Sequence, residues 1–322
     1  MGGISNMDGN KDYKRTLEGI PFFSEDRYWG KAPREELEKA IKFIEENGWD
    51  EFKVRYKNKF DQTFEENRAD WRFVLSLPKD FSVLDAGAGM GRISIPLARV
   101  AKKVTALDQS FLRMKFLKLR AQKEGLKNIE VCVGDIFDAA FPSESFDLIV
   151  MNGLLEWVGA TERFRDPREA QIESLRIAKK LLKKGGYLYI GIENRFALSY
   201  LRGRDHSGLY FTSYMPRLLA NAYSILRLGR PYDTYTYSRR GYDKLIRESG
   251  FENIDFYLPY PGYNLPRIMI PYNNLNALSY LIRYLMPSYN VKRKIVRFLA
   301  HSKLTLFIYR YFFFSFGIIV KK

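Results

Sequence analysis

The stretch Phe81-Ser-Val-Leu-Asp-Ala-Gly-Ala-Gly-Met-Gly-Arg92 reads as a short apolar strand ending at Asp85, a turn carrying Gly87, Gly89 and Gly91, and a helix start at about Arg92. Glycines at alternate positions let the backbone pass close to a ligand with no Cβ in the way. A helix beginning there aims its free N–H groups at the same spot. The combination predicts a site for a nucleotide-type ligand. A dinucleotide fingerprint would space its glycines G-x-G-x-x-G and seat a pyrophosphate. Here the spacing is D-x-G-x-G-x-G, with the acid ahead of the glycines. A carboxylate in that place repels a pyrophosphate and pairs with a cationic, amino-bearing ligand.

On either side of this turn the same pattern repeats. Lys103-Val-Thr-Ala-Leu-Asp108 is a second apolar strand that ends in an acid, and Ile129-Glu-Val-Cys-Val133 is a third, leading into Gly134-Asp135-Ile136. In a doubly wound sheet the carboxyl ends of neighbouring strands meet at the ligand crevice. Asp108 is then placed for ribose hydroxyls, and Asp135 falls beside the base. Phe146 to Met151 is a fourth strand and runs into Asn152-Gly-Leu-Leu-Glu156-Trp157; Tyr187 to Ile192 is a fifth, ending at Glu193, Asn194 and Arg195. Between them, Gln171 to Leu182 carries Ile172, Leu175, Ala178 and Leu182 on one helical face, and Gly185-Gly186 stop it. Such alternation predicts an α/β domain with a mostly parallel sheet covered on both faces.

Taken in order, residues 81–92, 103–108, 129–136 and 146–153 resemble the motifs of the class I S-adenosylmethionine (SAM)-dependent methyltransferases. A glycine turn alone would serve a nicotinamide or flavin as well; the four ordered strand-end motifs carry the resemblance. It implies a Rossmann-like, doubly wound, seven-stranded, mostly parallel sheet with a final antiparallel strand at about 316–320. It implies SAM as methyl donor. Asp85, Gly87, Gly89 and Gly91 would hold its amino-acid end, Asp108 the ribose, and Asp135 with Ile136 the adenine. Asn152 and Gly153 would line the methyl donor, and Glu156 and Trp157 would face the acceptor.

Methyl transfer from a sulfonium needs the acceptor positioned and, for a hydroxyl, its proton removed. The candidate base is His206, in Arg204-Asp-His-Ser-Gly208, with Asp205 adjacent to orient or charge the ring. Glu156 is the second catalytic candidate. Trp157, Glu193, Asn194 and Arg195 are candidate substrate-binding residues, Arg195 as a clamp for phosphate or carboxylate. Each has a plainer reading as a strand-end loop residue. With one cysteine, Cys132, and two histidines, His206 and His301, no metal cluster and no disulfide are expected. Glu193 to Phe196, Asp205 to Gly208 and Thr236 to Tyr242 resemble, more loosely, methyltransferases associated with bacterial or archaeal cell-surface glycan assembly. That resemblance covers about 193–265 and implies a glycan acceptor.

Charge is distributed unevenly. From 196 to 322 there are 19 Lys/Arg and 6 Asp/Glu, a net of +13, whereas the first 195 residues carry 34 and 31, a net of +3. No acid follows Asp255. Val291, Ile295, Phe298 and Leu299 fall on one helix face with Lys292, Arg293 and Arg297 elsewhere, and Tyr280, Tyr284 and Tyr289 lie nearby. This basic amphipathic pattern suits an anionic membrane surface in preference to RNA. The apolar run Leu304 to Val320 is short for a membrane span and carries Arg310, so it is expected to be a buried helix followed by the last strand. Met1-Gly2 lacks Ser or Thr at the sixth position, where Asn6 stands, and no apolar leader is present, so a cytoplasmic location is expected, peripheral at the inner membrane face.

The expected organisation is a helical lead-in or cap over 1–72, a SAM-binding core over 73–195, a substrate-facing insertion with the sixth strand over 196–261, a basic aromatic helical insertion over 262–313, and the last strand over 314–322. The expected activity is O-methylation of a glycan, lipid-linked or other anionic small-molecule acceptor. An RNA methyltransferase and a non-catalytic SAM-binding membrane scaffold remain the alternatives.

Overall fold

The computed structural model describes residues 13–28, 33–160, 163–201, 203–286 and 291–322, with the side chains of 58, 61 and 291–293 excepted. The readings placed on Met1-Gly2, Asn6, Tyr289 and the side chains of Val291, Lys292 and Arg293 therefore lie outside the described residues. Its ten strands make one mixed sheet in the order β1-β2-β5-β4-β3-β6-β7-β10-β8-β9. Contacts group the chain into two compact units, residues 1–66, 77–149 and 180–186 in one and 67–76, 150–179 and 187–322 in the other.

The first unit holds β1 (Arg15–Leu17), β2 (Ile20–Phe22), α1 (Arg34–Arg55), α2 (Lys57–Phe60), β3 (Ser82–Ala86), α3 (Ser94–Ala98), β4 (Lys103–Asp108), α4 (Phe111–Lys123) and β5 (Ile129–Val133). β3 and β4 pair in parallel with Asp85 opposite Ala106, and β4 and β5 pair in parallel with Asp108 opposite Val133. This register lines up the strand-end acids. Ile20, Phe22, Met114, Leu117, Val131 and Val133 form a buried core with α4. A second cluster packs α1 on α4 through Trp49, Phe52 and Phe116, with ring centroids 5.3–6.0 Å apart. Buried aromatic pairs of this kind add to the burial of apolar area. They also explain why Gly48, at φ 82°, kinks α1 without ending it: Trp49 and Phe52 lie beyond the kink and anchor the helix to α4. The helix after the glycine turn starts at Ser94, two positions later than expected, because Gly91 at φ 85° lengthens the turn.

The second unit holds the end of β6 (Phe146–Asn152), most of α5 (Pro167–Leu181) and of β7 (Leu182–Glu193), then α6 (Arg217–Leu228), α7 (Arg239–Glu248), β8 (Asn253–Gly262), β9 (Leu265–Pro271), α8 (Leu275–Tyr280), α9 (Val291–Leu299), α10 (Lys303–Tyr311) and β10 (Ser315–Lys321). β10 runs antiparallel to both neighbours, with Ile318 opposite Ile190 of β7 and Phe256 of β8, and six of its seven residues are buried. The sheet has ten strands where seven were expected. The surplus lies at its edges: the hairpin β1–β2, inside the lead-in expected to be helical, and β9, inside the insertion expected to be helical. β2 adds to the free edge of β5 and β9 to that of β8. α10 is not buried as expected, since Leu304, Phe307 and Ile308 are 69, 52 and 49% exposed. No helix among the described residues is long and apolar enough to cross a membrane.

Candidate active site

In the first unit, Gly87, Gly89 and Gly91 all take positive φ, at 74°, 55° and 85°. The last two differ in what a side chain would meet. A Cβ on Gly91 would come within 2.2 Å of Leu117 Cδ1, so this glycine packs the turn on α4, while a Cβ on Gly89 would face open space. Gly89 is the cradle that a ligand would use. The strand-end acids hold the turn together. Asp85 is buried and accepts from the Ser94 hydroxyl at 2.6 Å. Asp108 accepts from the Gly89 N–H at 3.0 Å and the Ser110 N–H at 2.9 Å, with Arg113 3.7 Å away. Asp135 accepts from the N–H groups of Phe137 and Asp138 at 2.8 and 3.0 Å and from Gln109 at 3.3 Å; Ile136 beside it is buried.

The chain over these strand ends belongs to the lead-in that was expected to be a helical cap, and here it is extended. Phe23 N–H donates to Val133 O, Arg27 N–H to Gln109 O, and Asp26 accepts from Phe111 N–H at 2.8 Å. Gly134 has room for no Cβ because Phe23 would be 2.9 Å from it. Residues 20–28 thus wall the ends of β4 and β5, next to Asp108 and Asp135. The only sequence signal was an aromatic run, Phe22-Phe23, ahead of an acid, Asp26.

In the second unit the fold gathers Glu156, Glu193, His206, Trp157 and Tyr263. Glu156 follows β6 and is fully buried, and neither of its oxygens has a hydrogen-bond partner among the described residues. Glu193 ends β7. His206 sits on the tight loop 204–210, closed by Asp205 N–H to Leu209 O. Its Nε2 lies 3.1 Å from Glu193 Oε1 and 3.9 Å from Glu156 Oε1, an ion pair without the alignment of a hydrogen bond. The Tyr263 hydroxyl donates to Glu193 Oε1 at 2.7 Å. Trp157 packs edge-on to the imidazole, centroids 5.1 Å apart. Tyr263 was missed; it lies in the turn between β8 and β9, and its N–H is fixed by the Ser315 hydroxyl at 3.1 Å. Its signal was the turn composition of Tyr260-Pro-Gly-Tyr-Asn-Leu-Pro266 between two apolar runs.

Electrostatics set the proton inventory. Burial, then the neighbouring Glu193 charge, pushes Glu156 up to about 8. Burial alone would lower His206, but Glu193 and then Glu156 outweigh it and push the imidazole up to about 9. Burial raises Glu193 in turn, yet His206 and Tyr263 overcome that and hold it below the usual carboxylate range. At neutral pH the histidine is therefore charged and paired, and it has no free lone pair with which to act as a base. The group poised to take up a proton near neutrality is Glu156.

Four further expectations change. Asp205 does not orient His206: it accepts from Ser207, Thr212 and Tyr232 at 2.5–3.1 Å and pins the loop itself. Asn194 is fully committed, donating to Tyr311 O and Phe313 O at 2.7 and 2.9 Å and accepting from Phe196 N–H, so it ties β7 to the start of β10 and leaves nothing for a substrate. Arg195 donates to the carbonyls of Ser213 and Met215, and burial next to Arg217 lowers its pKa; it is a strut, not an anion clamp. Asn152 faces Arg68, whose Nη2 and Nε lie 2.9 and 2.7 Å from its amide oxygen once the amide is turned to satisfy both groups. Gly191 clears the space for that amide, since a Cβ there would be 1.9 Å from it. Contrary to the expectation of no metal-ligating group, the ligand atoms of Glu156, Glu193 and His206 lie within 4.8 Å of one another, a spacing that suits a small cation as well as a proton.

Residues 77–202 match the family model of a methyltransferase domain. Among curated proteins, the chain is 38% identical over 71 residues to a probable ribosomal RNA small subunit methyltransferase A of Methanosphaera stadtmanae, covering 22% of this chain and 26% of that protein. It is 28% identical over 207 residues to the S-adenosyl-L-methionine-dependent Diels-Alderase iliD of a Neonectria species, covering 63 and 71%. It is 26% identical over 163 residues to the ubiquinone biosynthesis O-methyltransferase of Pelagibacter ubique, covering 50 and 55%. The chain thus spans about a quarter of the length of the first of these relatives. The open cradle at Gly89 and the strand-end acids fit SAM, the methyl donor of this domain.

Proposed function

We propose that this chain is a SAM-dependent O-methyltransferase whose acceptor is a hydroxyl of a glycan, a lipid-linked sugar or a similar polyhydroxylated small molecule. The observation that carries the reading is Glu156: a fully buried carboxyl with no hydrogen-bond partner, raised to about 8, beside an ion-paired histidine. A carboxylate acceptor would need no base, whereas a hydroxyl must give up its proton. The similarity to an O-methyltransferase agrees with this choice.

When bound, SAM supplies an electrophilic methyl on a sulfonium. Asp85, Asp108, Asp135 and the glycine turn hold and orient it. Glu156, when ionised, would accept the proton of an acceptor hydroxyl. His206, charged throughout, keeps Glu193 ionised and lowers the cost of a second carboxylate at Glu156. Tyr263 fixes Glu193 by donating to it, and Trp157 offers a flat apolar wall beside His206, a surface that suits the face of a sugar ring.

The test is methyl-labelled SAM incubated with the purified protein and an extract, with the label followed into lipid, polysaccharide, RNA and small-molecule fractions. Label in lipid or polysaccharide supports the proposal, and Glu156→Gln should abolish it. Label confined to RNA would replace the acceptor class, and SAM binding without label would favour the scaffold. Activity lost on chelation and restored by a divalent cation would give Glu156, Glu193 and His206 to a metal ion instead.

A further inference from the structure

The basic end of the chain contains a cavity of about 350 Å³ that the methyl-transfer reading does not use. Arg283, Tyr284, Lys294, Arg297, Phe298 and His301 line it, contributed by the short helical segment Leu281–Leu285 after α8, by α9 and by the second residue beyond α9. Arg283, Lys294 and Arg297, with His301, thus border one open space, and no carboxylate among the described residues lines it. Residues 256–322 contain ten Lys/Arg and not one Asp or Glu, so no carboxylate near in sequence balances them. Like charges gathered in this way lower the free energy of a bound anion, and two guanidinium groups suit the oxygens of a phosphate. The walls are held. Arg297 donates to the carbonyl of Arg283, Arg283 donates to the Tyr284 hydroxyl at 2.8 Å, and Ser279 of α8 ties down Ala300 O at 2.8 Å.

The rim of this cavity is apolar and open to solvent. Phe298 is 77% exposed, Tyr284 56% and Ile295 53%, and α10, next in the chain, exposes Leu304 at 69%. Exposed aliphatic side chains gain nothing from stacking with nucleic-acid bases. They gain from entering the acyl boundary of a bilayer, where phosphates lie above apolar chains and aromatic rings sit between.

We infer that the α8–α9 cavity and the exposed faces of α9 and α10 form a docking surface for an anionic phospholipid bilayer, with a lipid phosphate in the basic cavity and Phe298 and Leu304 in the acyl boundary. This rests on different residues from the methyl-transfer reading and stands or falls apart from it.

The test is flotation of the full chain with vesicles of phosphatidylcholine and phosphatidylglycerol in equal parts, against phosphatidylcholine alone. Binding to the anionic vesicles only is expected. Each basic residue contributes roughly 5-fold, so the triple variant Arg283→Gln, Lys294→Gln, Arg297→Gln should bind about 100-fold more weakly. Phe298→Ser keeps every charge and should still weaken vesicle binding by about 10-fold or more, which no soluble-anion or RNA site would show. SAM affinity should be unchanged in both variants, which reports that they fold; should the triple variant not fold, Phe298→Ser decides alone. The inference is overturned if the wild type does not float, if it floats equally with phosphatidylcholine, or if Phe298→Ser binds as the wild type does.

Discussion

The acids that end β3, β4 and β5 and the acids that follow β6 and β7 are chemically alike and structurally opposite. Asp85, Asp108 and Asp135 each accept hydrogen bonds from a hydroxyl or from backbone N–H groups within a few residues or on the neighbouring strand. Glu156 accepts none, and Glu193 is held by a histidine and a tyrosine from distant loops. A satisfied carboxylate keeps a fixed charge and shape, which suits a binding site. An orphaned buried one costs about 1–3 kcal/mol in stability and can change its protonation with little reorganisation, which suits catalysis.

The largest expected effect that tests this contrast is Glu156→Gln. Turnover should fall by roughly 10²–10⁴-fold with SAM affinity unchanged, while the midpoint of thermal unfolding in alkaline buffer stays the same or rises, because a buried charge is gone. Near-normal turnover would place Glu156 among the merely structural acids. Next comes Asp108→Ala, which removes an acceptor for ribose and the anchor of the Gly89 N–H together. Titration calorimetry should show SAM binding weakened by about 10–100-fold, with no matching change in the pH profile of whatever turnover survives.

The pH profile itself is the third test. With Glu156 raised to about 8, the rate should climb close to tenfold per unit below that value and level off above it. A rate flat through this range would remove Glu156 as the proton acceptor. Stability should move the other way. Glu156 binds its proton more tightly folded than unfolded, so its contribution fades as pH rises through about 8. His206, also raised, contributes fully below 6.5 and loses that contribution as pH rises through about 9. Both predict a falling unfolding temperature between these limits, and a rising one would refute the charge assignment. The smallest effect is expected from Tyr263→Phe, which removes one hydrogen bond to Glu193 and should cost about 1 kcal/mol of stability in denaturant melts.

What was legible in the sequence follows the same division. The glycine turn and its three acids are local patterns: a run of apolar residues, an acid at its end, and glycines at fixed offsets, all inside 81–136. The cluster is not local. Glu156, Glu193, His206 and Tyr263 stand on four separate segments, and only the pairing of β8 with β9 and the pinned loop around Asp205 bring the last two in. The role of the histidine was misjudged for that reason, since its sequence neighbour Asp205 is engaged elsewhere and the acid that charges it comes from β7. The extra strands were hidden by their own chemistry. β1 is three exposed residues with no alternation to read, and β9 carries Pro266 and Pro271, which fit a strand only at a sheet edge.

β10 is formed by Ser315–Lys321 yet lies between β7 and β8. A ribosome releasing this chain delivers the two outer strands long before the one that separates them. Until residue 321 is free, β7 and β8 each show an unpaired edge, the kind of surface on which growing chains recruit one another. Losing β10 alone would thus be felt as insolubility, well before any question of catalysis arose.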